Sequence, residues 1–176
     1  LKKNMKIKVI PFIIILIFIV TFIIFFKGLK NLNIYTPNVS IEKNIPDFNA
    51  LVFENDIRVN SKKVFEDNQF FLFNIWASWC LPCRDEHTYL MSLSKEENLK
   101  IIGLNYKDKK DNAKNFLNEL NNPYDLILID KDGTIAIEWG AFGVPETFLI
   151  YKNRIVKKII GPLNNKSLLE IKKLIK

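Results

Sequence analysis

The sequence predicts an α/β domain with a mixed central sheet and helices on both faces, preceded by a long apolar helix. Three observations predict it. An uncharged run lies near the N-terminus, the remaining residues give hydrophobic patterns in the order β-α-β-α-β-β-α, and the only two cysteines lie where a strand pattern passes into a helix pattern. A length of 176 residues fits one such domain plus an appendage.

The N-terminal appendage is an 18-residue uncharged run, Val9–Phe26, in which Thr21 is the only polar side chain. A helix of that length reaches about 27 Å, enough to cross the hydrocarbon core of a bilayer. A signal-peptide core is the alternative, but Lys27-Gly28-Leu29-Lys30 shows no small-x-small cleavage pattern, which favours an uncleaved signal anchor. Four lysines precede the run and two follow it, so we expect residues 1–8 in the cytoplasm and the domain outside.

The net charge of +7 does not indicate a nucleic-acid partner. Six of the 26 Lys and Arg residues lie in residues 1–30, which hold no acid, and the rest of the chain has 20 basic against 19 acidic residues. A nearly neutral domain has no electrostatic footprint for phosphate backbones. The cysteine count is also informative, because exported domains usually use cysteines as permanent cross-links. Here a single close pair remains free for chemistry.

Residues 27–44 are mixed in composition and are interpreted as a tether between the membrane and the domain, with the folded domain over 45–176. The segment Phe70–Trp76 is too apolar for an edge strand and suits a strand covered on both faces. The patterns predict strands at Asp47–Phe53, Ile57–Val59, Phe70–Trp76, Leu99–Tyr106, Asp125–Ile129, Thr147–Tyr151 and Arg154–Ile160, and helices at about Cys80–Leu93, Asp111–Leu120 and from near Asn165.

The cysteine pair lies in the segment Cys80-Leu81-Pro82-Cys83. A helix that begins near Cys80 would place free backbone N–H groups and the positive end of the helix dipole beside its sulfur, which favours the nucleophilic thiolate. Cys83 lies one turn later on the same face and can break a mixed disulfide formed at Cys80. Pro82 lacks an N–H, which costs little in a first helical turn. The spacing therefore indicates thiol–disulfide exchange.

A structural cross-link and a zinc site are the alternatives for these cysteines. A two-residue loop closes almost no chain, so a stabilising disulfide there gains little. The chain has no second cysteine pair, and His87 is its only histidine, so the Cys and His side chains of one chain cannot complete a four-ligand zinc site. Redox chemistry is the favoured interpretation, with the Cys80–Cys83 disulfide as the redox group and no cofactor or metal expected.

The segment NIWASWCLPCRDEH at residues 74–87 resembles the active-site segment of thioredoxin-fold proteins, specifically the DsbE/CcmG type of cytochrome c maturation. Three further blocks in the same order carry the resemblance, namely GLNYKD at 103–108, NPY at 122–124 and GAFGVPETF at 140–148. The resemblance covers the chain from about Ile45 to the C-terminus. It implies a thioredoxin-like fold with an N-terminal hairpin extension, and activity as a protein-disulfide reductase.

The resemblance also assigns roles around Pro145. It implies that the bond Val144–Pro145 is cis and packs against the cysteines, with Thr147 in the same block. A cis bond would turn the chain so that its backbone pairs with an extended client segment. The residues alone would favour the commoner trans proline.

Asn74 departs from the thioredoxin pattern, in which a buried acid stands six residues before the first cysteine. An amide cannot titrate, and the resemblance places Glu86 and Glu146 near the cysteines as substitutes. A buried carboxylate beside a thiol has a raised pKa and can act as its base. We therefore expect a redox-tuning or partner-selecting role for both, the alternative for Glu86 being a solvated charged run with Arg84 and Asp85.

Three other side chains near the cysteines have predicted roles. His87 could ligate copper with the two thiols, but copper-handling relatives are expected to have wider cysteine spacing and a further histidine, so we expect a packed or hydrogen-bonding residue. Trp76 and Trp79 are expected to shield the disulfide, and Trp79 is also a candidate for contact with the substrate.

The resemblance implies a single-pass protein of the bacterial inner membrane with its catalytic domain in the periplasm. The expected client is the haem-attachment cysteine pair of apocytochrome c, or a thiol carrier that serves it, and a membrane thiol transporter of the DsbD/CcdA type would supply electrons. Two alternatives remain open. One is a general periplasmic reductant of the TlpA/ResA kind, and the other is a non-catalytic copper-carrying domain.

Overall fold

The structure, a computed structural model, describes residues 3–30, 44–66 and 68–176. Two units are distinguished, Leu1–Pro37 and Asn38–Lys176. In the first, helix α1 spans Lys3–Lys30 and contains the stretch Ile10–Lys27, the one described helix that is long and apolar enough to cross a membrane. The predicted crossing at 9–26 falls within this helix, whereas residues 31–43 of the predicted tether lie outside the described residues.

The second unit is built on a seven-stranded mixed sheet, as predicted. The three central strands β5, β4 and β3 are parallel and every other pairing is antiparallel. The order across the sheet is β2-β1-β5-β4-β3-β6-β7. The strands are β1 (Asn49–Val52), β2 (Arg58–Asn60), β3 (Phe70–Trp76), β4 (Leu99–Tyr106), β5 (Leu126–Asp130), β6 (Glu146–Tyr151) and β7 (Arg154–Ile160).

Three of the helices in this unit follow the predicted patterns, and two short ones do not appear in the sequence prediction. The predicted helices are α3 (Leu81–Leu93), α4 (Lys110–Leu120) and α6 (Asn165–Leu174). The additional ones are α2 (Ser61–Val64) and α5 (Thr134–Glu138), which are too short to show helical periodicity. Caps stabilise them instead. The Asn60 side chain accepts the Lys63 N–H, and Asp130 accepts N–H groups at the start of α5.

Strand β3 is the centre of the core, and its side chains alternate between two apolar clusters on opposite faces of the sheet. Leu72 and Trp76 belong to one cluster together with both cysteines, and Phe71, Phe73 and Ile75 belong to the other. Asn74 lies on the face of Leu72 and Trp76 by the same alternation. The sheet therefore directs this one polar side chain of the strand towards the helix that carries the cysteines.

Candidate active site

Cys80 is the N-cap residue of α3, so its sulfur lies at the helix N-terminus as predicted. The Sγ atoms of Cys80 and Cys83 are joined in a disulfide, and Cys80 Sγ accepts the backbone N–H of Cys83 over 3.1 Å. Both cysteines are buried in this oxidised form, whereas Trp79 and Leu81 on either side of Cys80 are exposed. The disulfide is thus flanked by exposed apolar side chains.

The loop before Cys80 is hydrogen-bonded through Ser78 and Trp79 to the residues that follow β4. Asp108 accepts the backbone N–H of Ser78 over 2.6 Å and its hydroxyl over 2.7 Å, and the Trp79 indole donates to the Lys107 carbonyl oxygen. Asn105 also donates to Asp108. Sequence reasoning assigned no role to Asp108. The available signal was its position just after a strand parallel to β3, since parallel strands end at the same edge of a sheet.

The bond Val144–Pro145 is cis, as predicted. Glu146 at the start of β6 pairs with Ile75 near the end of β3, and Val144 packs against the cluster that contains both cysteines. The fold therefore brings the loop that ends at Pro145 beside the loop that ends at Cys80, although the two residues are more than sixty positions apart in the chain.

Glu86 lies one turn after Cys83 and is fully buried, so the alternative of a solvated charged run is wrong. Its Oε1 accepts from the Asn74 side-chain amide over 2.9 Å, and its Oε2 accepts from the Leu163 N–H over 2.8 Å. Burial raises the pKa of Glu86 to about 7, although both hydrogen bonds lower it. The carboxyl can therefore take up or release a proton near neutral pH.

Asn74 links Glu86 to two further buried groups. Its amide nitrogen also donates to the Thr147 hydroxyl over 3.0 Å, and its oxygen accepts from the Tyr124 hydroxyl over 2.9 Å. Burial, together with the charge of Glu86, raises the pKa of Tyr124, so the phenol keeps its proton and donates it. Sequence reasoning did not identify Tyr124 or Leu163 as site residues, because these contacts depend on the tertiary fold.

Glu146 is buried as well, but its contacts differ from those of Glu86. Its Oε1 accepts the N–H groups of Phe142 and Gly143 over 2.6 and 3.2 Å. Its Oε2 lies 2.7 Å from the ammonium of Lys158, a lysine to which sequence reasoning assigned no role. The carboxylate is thus bound to the loop that leads into Pro145 and to a buried cation.

A family model described as Redoxin matches residues 41–174. The chain is 36% identical to the thiol:disulfide interchange protein DsbE of Yersinia pestis over 166 residues, which are 92% of this chain and 87% of that protein. The chain belongs to the redoxin family, as a DsbE-type protein. It is therefore a thiol:disulfide oxidoreductase, as expected from the cysteine spacing.

Two more thiol:disulfide interchange proteins show a similar likeness. The chain is 40% identical to DsbE of Escherichia coli (strain K12) over 125 residues, covering 70% of this chain and 67% of that protein. It is 52% identical to the thiol:disulfide interchange protein CycY of Rhizobium leguminosarum bv. viciae over 100 residues, covering 56% of this chain and about half (54%) of that protein.

Solved structures confirm the thioredoxin-like fold of the DsbE-type chain. A putative DsbE from Chlorobium tepidum has a TM-score of 0.64 at 21% identity, covering 77% of this chain and 94% of that one. The thioredoxin domain of a Bacteroides vulgatus thiol-disulfide oxidoreductase has a TM-score of 0.66 at 17% identity, covering 78% and 99%. At these identities the likeness concerns the fold alone.

The other predicted side chains have clear positions in this DsbE-type site. The ring of His87 is buried, its Nε2 donates to the Asn121 carbonyl oxygen over 2.8 Å, and burial lowers its pKa, so it is the packed, hydrogen-bonding residue expected. Trp76 is buried in the cluster that contains both cysteines, whereas Trp79 is exposed, and Pro82 lies exposed in the first turn of α3. Among the described residues, no cluster of three or more His, Cys, Asp or Glu side chains could hold a metal ion.

Proposed function

We propose that this protein is a membrane-anchored periplasmic reductase of cytochrome c maturation. Its client is the oxidised haem-attachment cysteine pair of apocytochrome c, or a thiol carrier that serves it. The observation that carries the proposal is a disulfide of the chain's only two cysteines at the N-terminus of α3, one turn before a buried carboxyl, in a DsbE-type chain.

The reaction transfers two electrons to the client. The thiolate of reduced Cys80 attacks one sulfur of the client disulfide, forms a mixed disulfide and releases the other client sulfur as a thiolate, which takes up a proton. The thiolate of Cys83 then attacks Cys80 Sγ. This step releases the second client thiol and leaves the Cys80–Cys83 disulfide that the structure contains.

Helix geometry supports Cys80 as the attacking thiol. Its sulfur already accepts the Cys83 N–H, and the same donor would stabilise a thiolate there after reduction. The positive end of the α3 dipole adds to this stabilisation. Cys83, one turn into the helix, lacks that position and serves as the resolving thiol.

Glu86 supports the second step as the base for Cys83. Its pKa of about 7 lets the carboxylate accept a thiol proton at neutral pH and return it to solvent afterwards. Asn74 and the Leu163 N–H hold the carboxyl, and Thr147 and Tyr124 hold Asn74. In this arrangement Asn74 positions the base that replaces the acid of thioredoxins.

The client would bind over the exposed apolar side chains around the disulfide. Trp79 and Leu81 flank Cys80, and Phe142 is exposed on the loop before the cis bond. An extended client segment would pair with the backbone of that loop next to Pro145, while its apolar side chains contact these three residues. This docking would place the client sulfur in line with Cys80.

The apolar helix supports the proposed location. Its length and composition fit one membrane crossing, and its lysine distribution favours a cytoplasmic N-terminus and a periplasmic domain. A membrane thiol transporter of the DsbD/CcdA type would restore the reduced pair. Anchoring would keep the enzyme close to that donor and to its client.

Client trapping tests the proposal. A chain with Cys83→Ala should accumulate a mixed disulfide between Cys80 and apocytochrome c or its thiol carrier, identified by mass spectrometry, while the matched Cys80→Ala chain should trap far less. A deletion strain should lose c-type cytochromes and recover them with the wild-type gene. Broad thiol defects would instead indicate a general TlpA/ResA-like reductant, and tight equimolar copper binding without turnover would indicate a copper carrier.

A further inference from the structure

Lys158 in β7 has a buried side chain whose ammonium contacts a carbonyl oxygen, a carboxylate and two aromatic rings. Its side chain is about 6% exposed, and its ammonium donates to the Gly140 carbonyl oxygen over 2.7 Å. The same ammonium lies 2.7 Å from Glu146 Oε2 and about 5 Å from the ring centroids of Phe142 and Phe148. Lysine is rarely buried without such partners, and the groups around Lys158 are ones that stabilise a charged ammonium.

Three of these partners of Lys158 lie in or beside one loop, residues 140–143, and the fourth, Phe148, lies opposite Lys158 in β6. Lys158 binds the loop at the Gly140 carbonyl, and Glu146 binds it at the N–H groups of Phe142 and Gly143. The Lys158–Glu146 ion pair joins these two attachments. The loop is therefore held at both of its ends by one buried pair of opposite charges.

This loop presents Phe142 next to the cis proline. The Phe142 side chain is 67% exposed, and its ring lies over the ammonium. Immediately after the loop, the Pro145 carbonyl oxygen accepts the Gly161 N–H over 3.0 Å, which ties the proline to the end of β7. Strand β7 and the residue after it thus hold the loop 140–143 and Pro145 through hydrogen bonds.

We propose that Lys158 is a positioning residue that determines client selectivity. By holding Gly140 and the Phe142 ring, it fixes the loop in the shape that receives an extended client with an apolar side chain, without taking part in the sulfur chemistry. The inference rests on the proposed function, because it concerns the docking of the same client. It goes further by naming the residue that sets which protein disulfides reach Cys80.

The energetics favour this role over a purely stabilising one. Removing two charges from water carries a large desolvation cost, and a buried ion pair often stabilises a fold no more than apolar residues of similar volume. Stability alone therefore gives little reason to place the pair beneath this loop. Defined hydrogen bonds to three positions of the loop are what a pair of apolar residues could not supply.

The test compares Lys158→Met with the matched control Lys157→Met in the reduced full-length chain. Lys157 is the neighbouring β7 lysine, and it pairs at the surface with Glu170. Two disulfides serve as probes: an oxidised Cys-Ala-Ala-Cys-His peptide, which must dock along the loop, and hydroxyethyl disulfide, which is too small to do so. Stopped reactions are alkylated and the oxidised fraction of the protein is read by mass.

We expect Lys158→Met to lower the second-order rate constant for reduction of the peptide on the order of tenfold, with hydroxyethyl disulfide reduced at the wild-type rate. Lys157→Met should change neither, and Lys158→Arg should restore part of the peptide rate. If Lys158→Met folds poorly, the double variant Glu146→Gln/Lys158→Met removes both charges, keeps an acceptor for the loop N–H groups, and should show the same loss of selectivity.

The outcomes separate the two proposals. A wild-type chain that does not reduce the peptide would overturn the proposed client. A wild-type chain that reduces it as fast as Lys158→Met would overturn only the role of Lys158. Equal losses towards both probes would also overturn that role, because they would show that Lys158 acts on the chemistry or on the fold as a whole.

Discussion

The buried carboxyl of Glu86 predicts how stability depends on pH. Burial raises its pKa from 4.5 to about 7, so the folded protein binds a proton that the unfolded chain has already released between those pH values. Because folding raises the pKa of this carboxyl, the folded state becomes less stable relative to the unfolded chain as the pH rises. Burial of Glu86 costs no free energy of unfolding below pH 4.5, costs more as the pH rises, and has its full cost above pH 7. At 1.36 kcal/mol per unit of pKa, this full cost amounts to about 3 kcal/mol.

Glu86→Gln removes this titration. The glutamine NH₂ must face either the Leu163 N–H or the Asn74 amide, both of which donate to Glu86, and this mismatch costs about 1–3 kcal/mol at every pH. The informative quantity is therefore the change with pH in the difference between the two proteins. We expect wild type to lose about 3 kcal/mol relative to Glu86→Gln as the pH rises across this window.

Urea unfolding followed by circular dichroism, at several values from about pH 4 to about pH 8, measures this difference. Both proteins are kept oxidised so that no thiol titrates, and His87 titrates in both and cancels. A difference that stays constant over the range would refute the raised pKa and, with it, the assignment of Glu86 as a base near neutrality.

Three further substitutions test the packing around the site. Tyr124→Phe should destabilise the fold by about 1–3 kcal/mol in urea unfolding, because it leaves the buried Asn74 oxygen without its donor. Asp108→Ala should accelerate hydrogen exchange at the Ser78 N–H, which loses its acceptor. Gly103→Ala should cost about 1–3 kcal/mol in thermal unfolding, since its Cβ would lie 2.9 Å from the Tyr124 ring.

Each of the three has a matched control that should change little. Tyr89→Phe alters a partly exposed tyrosine, Asp111→Ala alters an exposed acid on α4, and Gly143→Ala places its Cβ in open space. Wild-type stability in Tyr124→Phe or Gly103→Ala would contradict the packing described. Unchanged exchange at Ser78 in Asp108→Ala would show that this carboxylate does not secure the loop before Cys80.

Local patterns were sufficient to predict the parts of the site that are continuous in sequence. The apolar run at 70–76 predicted a central strand, and the Cys80–Cys83 spacing predicted a helix start at the first sulfur, because both depend on neighbouring residues. The resemblance of residues 140–148 predicted the cis bond before Pro145. Burial of Glu86 followed from its spacing on the same helical face as Cys83.

The partners of these residues could not be predicted from local patterns. Leu163 contacts Glu86 across 77 positions, and Tyr124 contacts Asn74 across 50, so both depend on how the sheet brings its strands together. Lys158 has the sequence character of a surface cation in a lysine-rich strand, and only the loop folded over it shows that it is buried. Helix α5 has only five residues and therefore shows no helical periodicity, and Asp130, which accepts N–H groups of its first turn, precedes the helix by four positions.

Timed alkylation of the fully reduced protein tests most directly whether Cys80 is the attacking thiol and Cys83 the resolving thiol. The modified fraction of each cysteine is quantified by peptide mass. We predict that Cys80 is modified first and that its apparent pKa lies below the ordinary thiol value of about 8.5. Cys83 should be modified much more slowly. Faster modification of Cys83, or equal rates at the two sites, would contradict the attack and resolution steps assigned to them.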